Sequence, residues 1–334
     1  MGEATKNSMS ETSNIAEIAR TVAKDIFSVF GWKTVGPKDH DFDCTLAEKH
    51  IKRTHPSDIV FWYEDPYANQ KVFLNTDLKS WKKDRFSKPK IRGEIASLCQ
   101  AVECANVSSQ WAQLFGDSTS TFQVHGLLFL FNHDNALEAD VSRMLADYEP
   151  DSFSLPKNYR VFVLTPETIR YLASVANDIR ASCGGGLLPG LEKFRFYYPD
   201  LVEVRPKSNE RTVATAEVLC GPWQVLRFHT PQSGKAQIGY FVYYRGKGAS
   251  EDEFKYLIDF FFRYQLLGDN EMISVRMPFA EDRAKAVFER AKDSYAADFY
   301  SMPEFRDRLN RITFERIQRI SLSLSLTDEA IENG

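Results

Sequence analysis

Apolar residues recur at helical spacing early in the chain and then switch to the alternating or continuous runs of strands. Ile15, Ile18, Ala19, Val22, Ile26 and Val29 predict an amphipathic helix over roughly 14–30, closed by Gly31 and Trp32 in the manner of a glycine stop. Two strand-like runs follow, Ile59-Val60-Phe61-Trp62-Tyr63 and Lys71-Val72-Phe73-Leu74-Asn75-Thr76. The turn-forming stretch Glu64-Asp65-Pro66-Tyr67-Ala68-Asn69 joins them, so the start of one strand should lie beside the end of the other. Ile91–Asn106 predicts a helix with Ile95, Leu98, Cys99 and Val102 on one face. Phe122–Phe131 is almost wholly apolar, as suits a strand covered on both faces of its sheet. A helix around Ala136–Asp147 and a strand Arg160–Leu164 come next, and Thr165-Pro166-Glu167 opens another helix with a cap residue and a first-turn proline. The alternation predicts an α/β architecture, a mixed sheet flanked by helices.

Cys183-Gly184-Gly185-Gly186-Leu187-Leu188-Pro189-Gly190 reads as a flexible loop and places a nominal boundary between domains 1–200 and 201–334. No Gly-Lys-Ser/Thr follows these glycines, which argues against a phosphate loop. Beyond the boundary the pattern is that of an α+β module. It has strands Trp223–His229 and Ile238–Arg245 around a turn Pro231-Gln232-Ser233-Gly234, an aromatic helix Glu251–Leu267, a strand Met272–Met277, and helices Ala280–Tyr300 and Pro303–Ser321. Phe254, Phe260, Phe261, Phe262 and Tyr264 make the aromatic helix apolar over most of its circumference, which requires burial in its own core or against a partner. In the last helix Phe305, Leu309, Ile312 and Ile320 point to a core, with Arg306, Arg308, Arg311, Arg316 and Arg319 around the rest, as a solvated face or a nucleic-acid or partner contact. His229 and Asp269 lack companions at ligand spacing, and the module presents no catalytic constellation.

The net charge of the 334-residue chain is −4, so it is not a general polyanion binder. Against that background Lys79, Lys82, Lys83, Arg85, Lys88, Lys90 and Arg92 form a positive island with a single acid, Asp84. Such a cluster would neutralise nucleic-acid phosphates, and the interleaved Trp81 and Phe86 could stack on bases; the plainer alternative is a solvated basic loop. Apolar residues make up 43% of the sequence, ample for a core, yet no run approaches the roughly 20 that span a bilayer. Met1–Ser13 is polar, without the apolar stretch of a secretory signal. Cys44, Cys99, Cys104, Cys183 and Cys220 are scattered, with neither a zinc spacing nor a disulfide framework, so a cytoplasmic setting is expected.

The candidate chemistry lies at the paired strands. Asp58 ends His55-Pro56-Ser57-Asp58 just before the first, and Asp77-Leu78-Lys79 closes the second, 19 positions on (77 − 58 = 19). Two carboxylates at one sheet edge supply the hard oxygen ligands that Mg²⁺ prefers, and Asp77 and Lys79, two apart on a strand, share a face. An acidic-x-Lys tripeptide alone is weak, since about three are expected by chance and a second stands at Glu253-Phe254-Lys255 in a helical segment. The strand context and the upstream aspartate distinguish the first.

With these residues in the order helix, strand, strand, strand, helix, strand, the first 200 residues resemble the PD-(D/E)XK nuclease superfamily, which has the restriction-endonuclease-like fold. The resemblance implies that Mg²⁺ or Mn²⁺ is held by Asp58, Asp77 and the carbonyl oxygen of Leu78, with Lys79 orienting or deprotonating the attacking water. It also implies a glutamate on the first helix directed at the metal. Glu17 is the matching position, although an ordinary solvated first-turn glutamate is an equal reading. Glu94 and Gln100, on the helix after the tripeptide, are further candidates, although an exposed polar face is the commoner meaning of each. The superfamily mostly cuts DNA, while some members cut RNA, including tRNA. Its members serve restriction, repair and anti-phage defence, often with a second subunit, so a partner protein or a homodimer is expected. One alternative is a non-catalytic nucleic-acid-binding or scaffold subunit that keeps the fold, for which binding would be metal-independent. The other, a small-molecule enzyme on an unrelated α/β fold, leaves the basic island unexplained.

Overall fold

The computed structural model describes residues 17–322 apart from 18, 69, 117–121, 138–139, 150–151, 199–212, 231–236, 269–270 and 299–302. The positions of Ile15, Ile18, the Pro231–Gly234 turn and Asp269 therefore lie outside the described residues. The chain forms two compact units, Met1–Arg170 with Ser321–Gly334, and Tyr171–Ile320. The expected boundary at residue 200 also lies outside the described residues, and compactness divides the chain earlier.

The first unit is built on a five-stranded mixed sheet. Helix α1 (19–29) ends at Gly31, whose φ of 89° is readily adopted only without a side chain. The strands are β1 (Lys33–Val35), β4 (Ile59–Glu64), β5 (Lys71–Trp81), β6 (Phe122–Asn132) and β7 (Val161–Leu164), hydrogen-bonded in that order. β1, β4 and β5 are antiparallel neighbours, while β5, β6 and β7 run parallel. Between β1 and β4 the chain makes an excursion, β2 (His40–Asp43), α2 (Ala47–His50) and β3 (Thr54–Ser57), whose strands, among the described residues, pair only with each other.

Alternation along the strands sorts the side chains to two helices. Phe61 and Phe129 meet Phe27 of α1 on one face. On the other, Val60, Phe73, Val124 and Leu128 share a core with Ile91, Ile95, Leu98 and Val102 of α3 (Lys88–Ala105). Gly126 lets α3 approach β6 closely, since a Cβ there would lie 2.9 Å from Val102 and 3.0 Å from Leu98. The helix expected around 136–147 is confined to Val141–Leu145.

The second unit has its own five-stranded sheet, ordered β12 (Ile312–Arg316), β11 (Met272–Met277), β10 (Ile238–Tyr244), β9 (Trp223–His229), β8 (Arg195–Phe196). The helix over Pro166–Gly184 opens with the Thr165 hydroxyl accepting from the Thr168 N–H. Its later turns belong to the second unit: Tyr171 donates to Gln224 at 2.6 Å, and Asp178 binds Arg276 at 2.7 and 2.8 Å. The aromatic helix, Glu251–Arg263, packs into the core of its own unit through Phe254, Leu257, Ile258 and Phe261. The helix expected over Pro303–Ser321 stops at Asn310, and Ile312–Arg316 is a strand parallel to β11. Ile312 and Phe314 alternate with the exposed Thr313 and Glu315, and sheet pairing decides between the two periods. The arginines thus form no helical stripe: Arg311 binds the Gly268 carbonyl, Arg316 pairs with Asp282, and Arg319 lies over Phe279. No helix among the described residues is long and apolar enough to cross a membrane.

Arg276 is the most demanding group in this unit. Its buried guanidinium is held by both oxygens of Asp178 and by Glu315, while the Tyr243 hydroxyl donates to Asp178. Asp178→Ala leaves that cation and that hydroxyl without their main partner. Denaturant unfolding should show the second unit destabilised by about 3–5 kcal/mol, the cost of breaking a buried ion pair from one side.

Candidate active site

The register of β4 against β5 builds the site. Ile59 stands opposite Thr76, and the same antiparallel count carried one residue further sets Asp58 against Asp77. Asp58 donates its N–H to the Thr76 carbonyl at 3.2 Å, and its Oδ2 accepts the Leu78 N–H at 2.7 Å. The tripeptide lies inside β5 rather than at its end. Parallel pairing with β6 runs unbroken from Lys71 opposite Phe122 to Trp81 opposite Asn132, which carries the strand beyond Thr76.

Asn75, Asp77 and Lys79 alternate onto the face that α3 covers. Lys79 Nζ lies 2.8 Å from Asp77 Oδ1 and 3.3 Å from Glu94 Oε2 on α3. Glu94, expected chiefly as exposed polar face, is therefore part of the cluster. Asn75 is wholly buried: its side-chain carbonyl accepts from the Ser57 hydroxyl and from Trp111 Nε1 at 3.2 Å, and its amide donates to the Pro56 carbonyl at 3.3 Å. These bonds fix the segment that delivers Asp58.

Burial governs the electrostatics. It pushes the Asp77 carboxyl up to about 6, with the Asp58 charge adding to the rise and Lys79 opposing it. Burial raises Asp58 as well, against the stabilising Leu78 N–H and Lys79. For Lys79 burial works against the charge, but Asp77, Glu94 and Asp58 outweigh it and hold the ammonium above its ordinary value. Three carboxylates thus face one ammonium, and two of them, the buried Asp77 and the half-buried Asp58, are acids that resist ionisation. This excess of hard, negatively charged oxygen fits a divalent cation of the Mg²⁺ or Mn²⁺ kind.

Glu17 is placed differently from the metal-directed reading. Its carboxylate pairs with Arg20, which also pairs with Asp39, and Asp39 donates its N–H to the Asp58 carbonyl at 3.0 Å. Glu17 therefore reaches the site through a chain of contacts. Arg20 is buried on an otherwise apolar helix face, a signal legible in the sequence as a charge between Ala19 and Val22.

The basic island divides. Lys82, Lys83 and Arg85 are exposed just past the end of β5, around a short 3₁₀ turn (Lys83–Arg85). Lys88 is paired with Asp147, Lys90 lies 4.2 Å from the centre of the Trp81 ring, and Arg92 lies over Tyr148 and Phe153. Trp81 and Phe86 do not stand ready to stack on bases: they are buried against one another, with ring centres 5.3 Å apart, because the turn folds both onto the α3 core.

Residues 9–168 match the family described as the GAPS4 protein PD-(D/E)XK nuclease domain. No curated protein and no solved structure matches the chain. The match covers the helix, the paired strands, the tripeptide and α3 together, and on that evidence the N-terminal region belongs to the PD-(D/E)XK nuclease superfamily.

Proposed function

We propose that the chain is a metal-dependent nuclease that hydrolyses phosphodiester bonds, with DNA ahead of RNA as substrate. Its setting would be cytoplasmic, in anti-phage defence, restriction or repair, alongside a second protein subunit or a second copy of itself. The observation that carries this reading is the convergence of Asp58, Asp77 and Lys79 at one place on the sheet. Asp58 and Asp77, with the Leu78 carbonyl, would hold Mg²⁺ or Mn²⁺. A bound ion of this kind lowers the pKa of water and polarises the scissile phosphate. Lys79 keeps its proton between Asp77 and Glu94, which suits it to orient the water and offset negative charge as the bond breaks, rather than to act as a base. Glu94 positions that ammonium, and the Leu78 N–H fixes one oxygen of Asp58. Lys82, Lys83 and Arg85 would receive the substrate backbone, with Lys88, Lys90 and Arg92 behind them.

One observation favours the second reading, a nucleic-acid-binding or scaffold subunit without cleavage. Lys79 and the Leu78 N–H already provide each aspartate with a partner in the protein itself. The two readings separate on a single experiment, incubation of the purified protein with plasmid, linear DNA and total RNA in Mg²⁺ or Mn²⁺, with and without EDTA. Cleavage that stops with EDTA supports the first; metal-independent binding with intact substrate supports the second.

Lys79→Ala should lower the cleavage rate by roughly 10²–10³-fold, as loss of a transition-state charge partner does, and Asp58→Asn and Asp77→Asn by at least as much. Glu17→Ala should cost less, because Glu17 acts through Arg20. Asp77→Asn carries an opposite signature in stability. A carboxyl raised from 3.8 to about 6 stabilises the fold at low pH and loses that contribution as pH rises through about 6. The asparagine variant should therefore melt higher than the parent at pH 7.5 without added metal, and no higher at pH 4.

Metal binding requires the Asp77 carboxylate, so Mg²⁺ affinity measured calorimetrically should fall roughly tenfold per pH unit below about pH 6, where one proton competes with the ion. Affinity independent of pH between 5 and 7 would remove Asp77 from the ligand set. Changing Lys82, Lys83 and Arg85 together to Ala should flatten the salt dependence of nucleic-acid binding by roughly 0.7–0.9 in slope for each phosphate no longer neutralised. An unchanged slope would move the binding surface elsewhere.

A further inference from the structure

Four ligand-type side chains converge away from the paired aspartates. Cys44 follows β2, His50 ends α2, His55 lies in β3, and Cys104 comes from α3. Cys44 Sγ lies 3.6 Å from Cys104 Sγ and 3.5 Å from His50 Nδ1. His50 Nδ1 lies 3.4 Å from Cys104 Sγ and 3.4 Å from His55 Nε2. All four atoms fall within 4.8 Å of one another. Zinc bonds of about 2.3 Å to sulfur and 2.0–2.1 Å to nitrogen make tetrahedral edges of about 3.8 Å between sulfurs, 3.6 Å between sulfur and nitrogen and 3.3 Å between nitrogens. The four separations of 3.4–3.6 Å lie close to those edges.

Hydrogen bonding does not account for the arrangement. His50 Nδ1 carries either one proton or one lone pair, yet three ligand atoms crowd it at 3.4–3.5 Å. A disulfide needs its sulfurs at about 2.05 Å and would give the two histidines nothing to do.

We propose that Cys44, His50, His55 and Cys104 form a closed, four-coordinate structural zinc site. Binding displaces one proton from each thiol to solvent, and the two thiolates with two neutral imidazoles balance the dication. A site without net charge suits a place where three of the four residues are buried and the fourth half-buried. The other ring nitrogen of His50 lies 3.0 Å from Glu103 Oε2, the carboxylate partner that orients a zinc-binding histidine. Four protein ligands leave no open position for a water, so the metal's role is in folding, not in chemistry.

The segment it would hold has little else to hold it. From Gly36 to Ser57 the buried residues are Phe42, His50, His55 and Ser57, of which only Phe42 is apolar. Ile51 is exposed, in a left-handed backbone conformation at φ 54° that ends α2. A metal takes the place of the missing core, as in other small units that cannot bury enough apolar surface. His55 is three residues before Asp58, and Cys104 shares α3 with Glu94. Zinc would thus tie the strand that delivers Asp58 to the helix that steadies Lys79. Sequence spacing conceals the set, since five and four residues separate the first three ligands and 48 separate the fourth from His55.

The test is the metal content of the full chain, purified without added metal and dialysed, by plasma mass spectrometry. About one zinc per chain is expected, released in step with mercurial modification of two thiols in the wild-type protein. Cys44→Ser and Cys104→Ser should lose the zinc. Cys183→Ser, and Asp58→Asn combined with Asp77→Asn, should keep it, which separates this site from any ion at the paired aspartates. Substoichiometric zinc with both thiols freely reactive would overturn the proposal, as would a Cys44–Cys104 disulfide found by peptide mass mapping. Should the Cys variants fail to fold, the wild-type release experiment decides alone. None of these readouts depends on cleavage, so the zinc site and the nuclease reading can fail separately.

Discussion

Two carboxylates side by side, one buried and one half-buried, are the constraint on which the first unit turns. Neither Asp58 nor Asp77 is comfortable when ionised: burial raises both, and a neighbouring carboxylate adds to each rise, Asp39 for Asp58 and Asp58 for Asp77. The surrounding structure can be read as the set of contacts that makes the pair tolerable. Lys79 and the Leu78 N–H relieve them directly, and Glu94 anchors the lysine from α3. A protein that stores such a conflict gives up some stability for a place where a cation is strongly favoured.

The alignment of that pair is a product of the hydrophobic core. Phe61 and Phe129 belong against α1, and Val60, Phe73 and Leu128 belong against α3. A slip of one residue between β4 and β5 would turn every one of these side chains to the wrong helix. The same slip would separate Asp58 from Asp77, so packing energy holds the two carboxylates in register. Asn75, wholly buried and bonded to Pro56, Ser57 and Trp111, adds directional control where an apolar core cannot. The second unit spends its aromatic residues on its own core, with the Asp178–Arg276 pair as its polar centre.

Most of the paired-strand geometry was legible in the sequence, because β-branched and aromatic runs around a turn leave few alternatives for Ile59–Glu64 and Lys71–Trp81. What was less legible depended on contacts distant along the chain. Lys79 meets Glu94 only because α3 folds back over β5, and nothing in the spacing distinguishes Glu94 from an exposed helix residue. Trp81 and Phe86 sit among lysines, which suggested a binding surface, whereas the turn between them carries both rings into the core. Residues 312–316 carry apolar side chains compatible with either period, and pairing with β11 settles them as a strand. The Cys44, His50, His55 and Cys104 cluster is the extreme case, since its fourth member comes from another element.

Whether Asp58 and Asp77 together hold a divalent cation can be read from the magnetic resonance of bound manganese. Mn²⁺ titrated into the full chain at pH 7.5 should show a tightly bound, immobilised ion by electron paramagnetic resonance. This signal should disappear when Asp58→Asn and Asp77→Asn are combined, while the fold, followed by circular dichroism, is unchanged. Manganese bound as tightly by the double variant as by the parent would contradict binding by this pair.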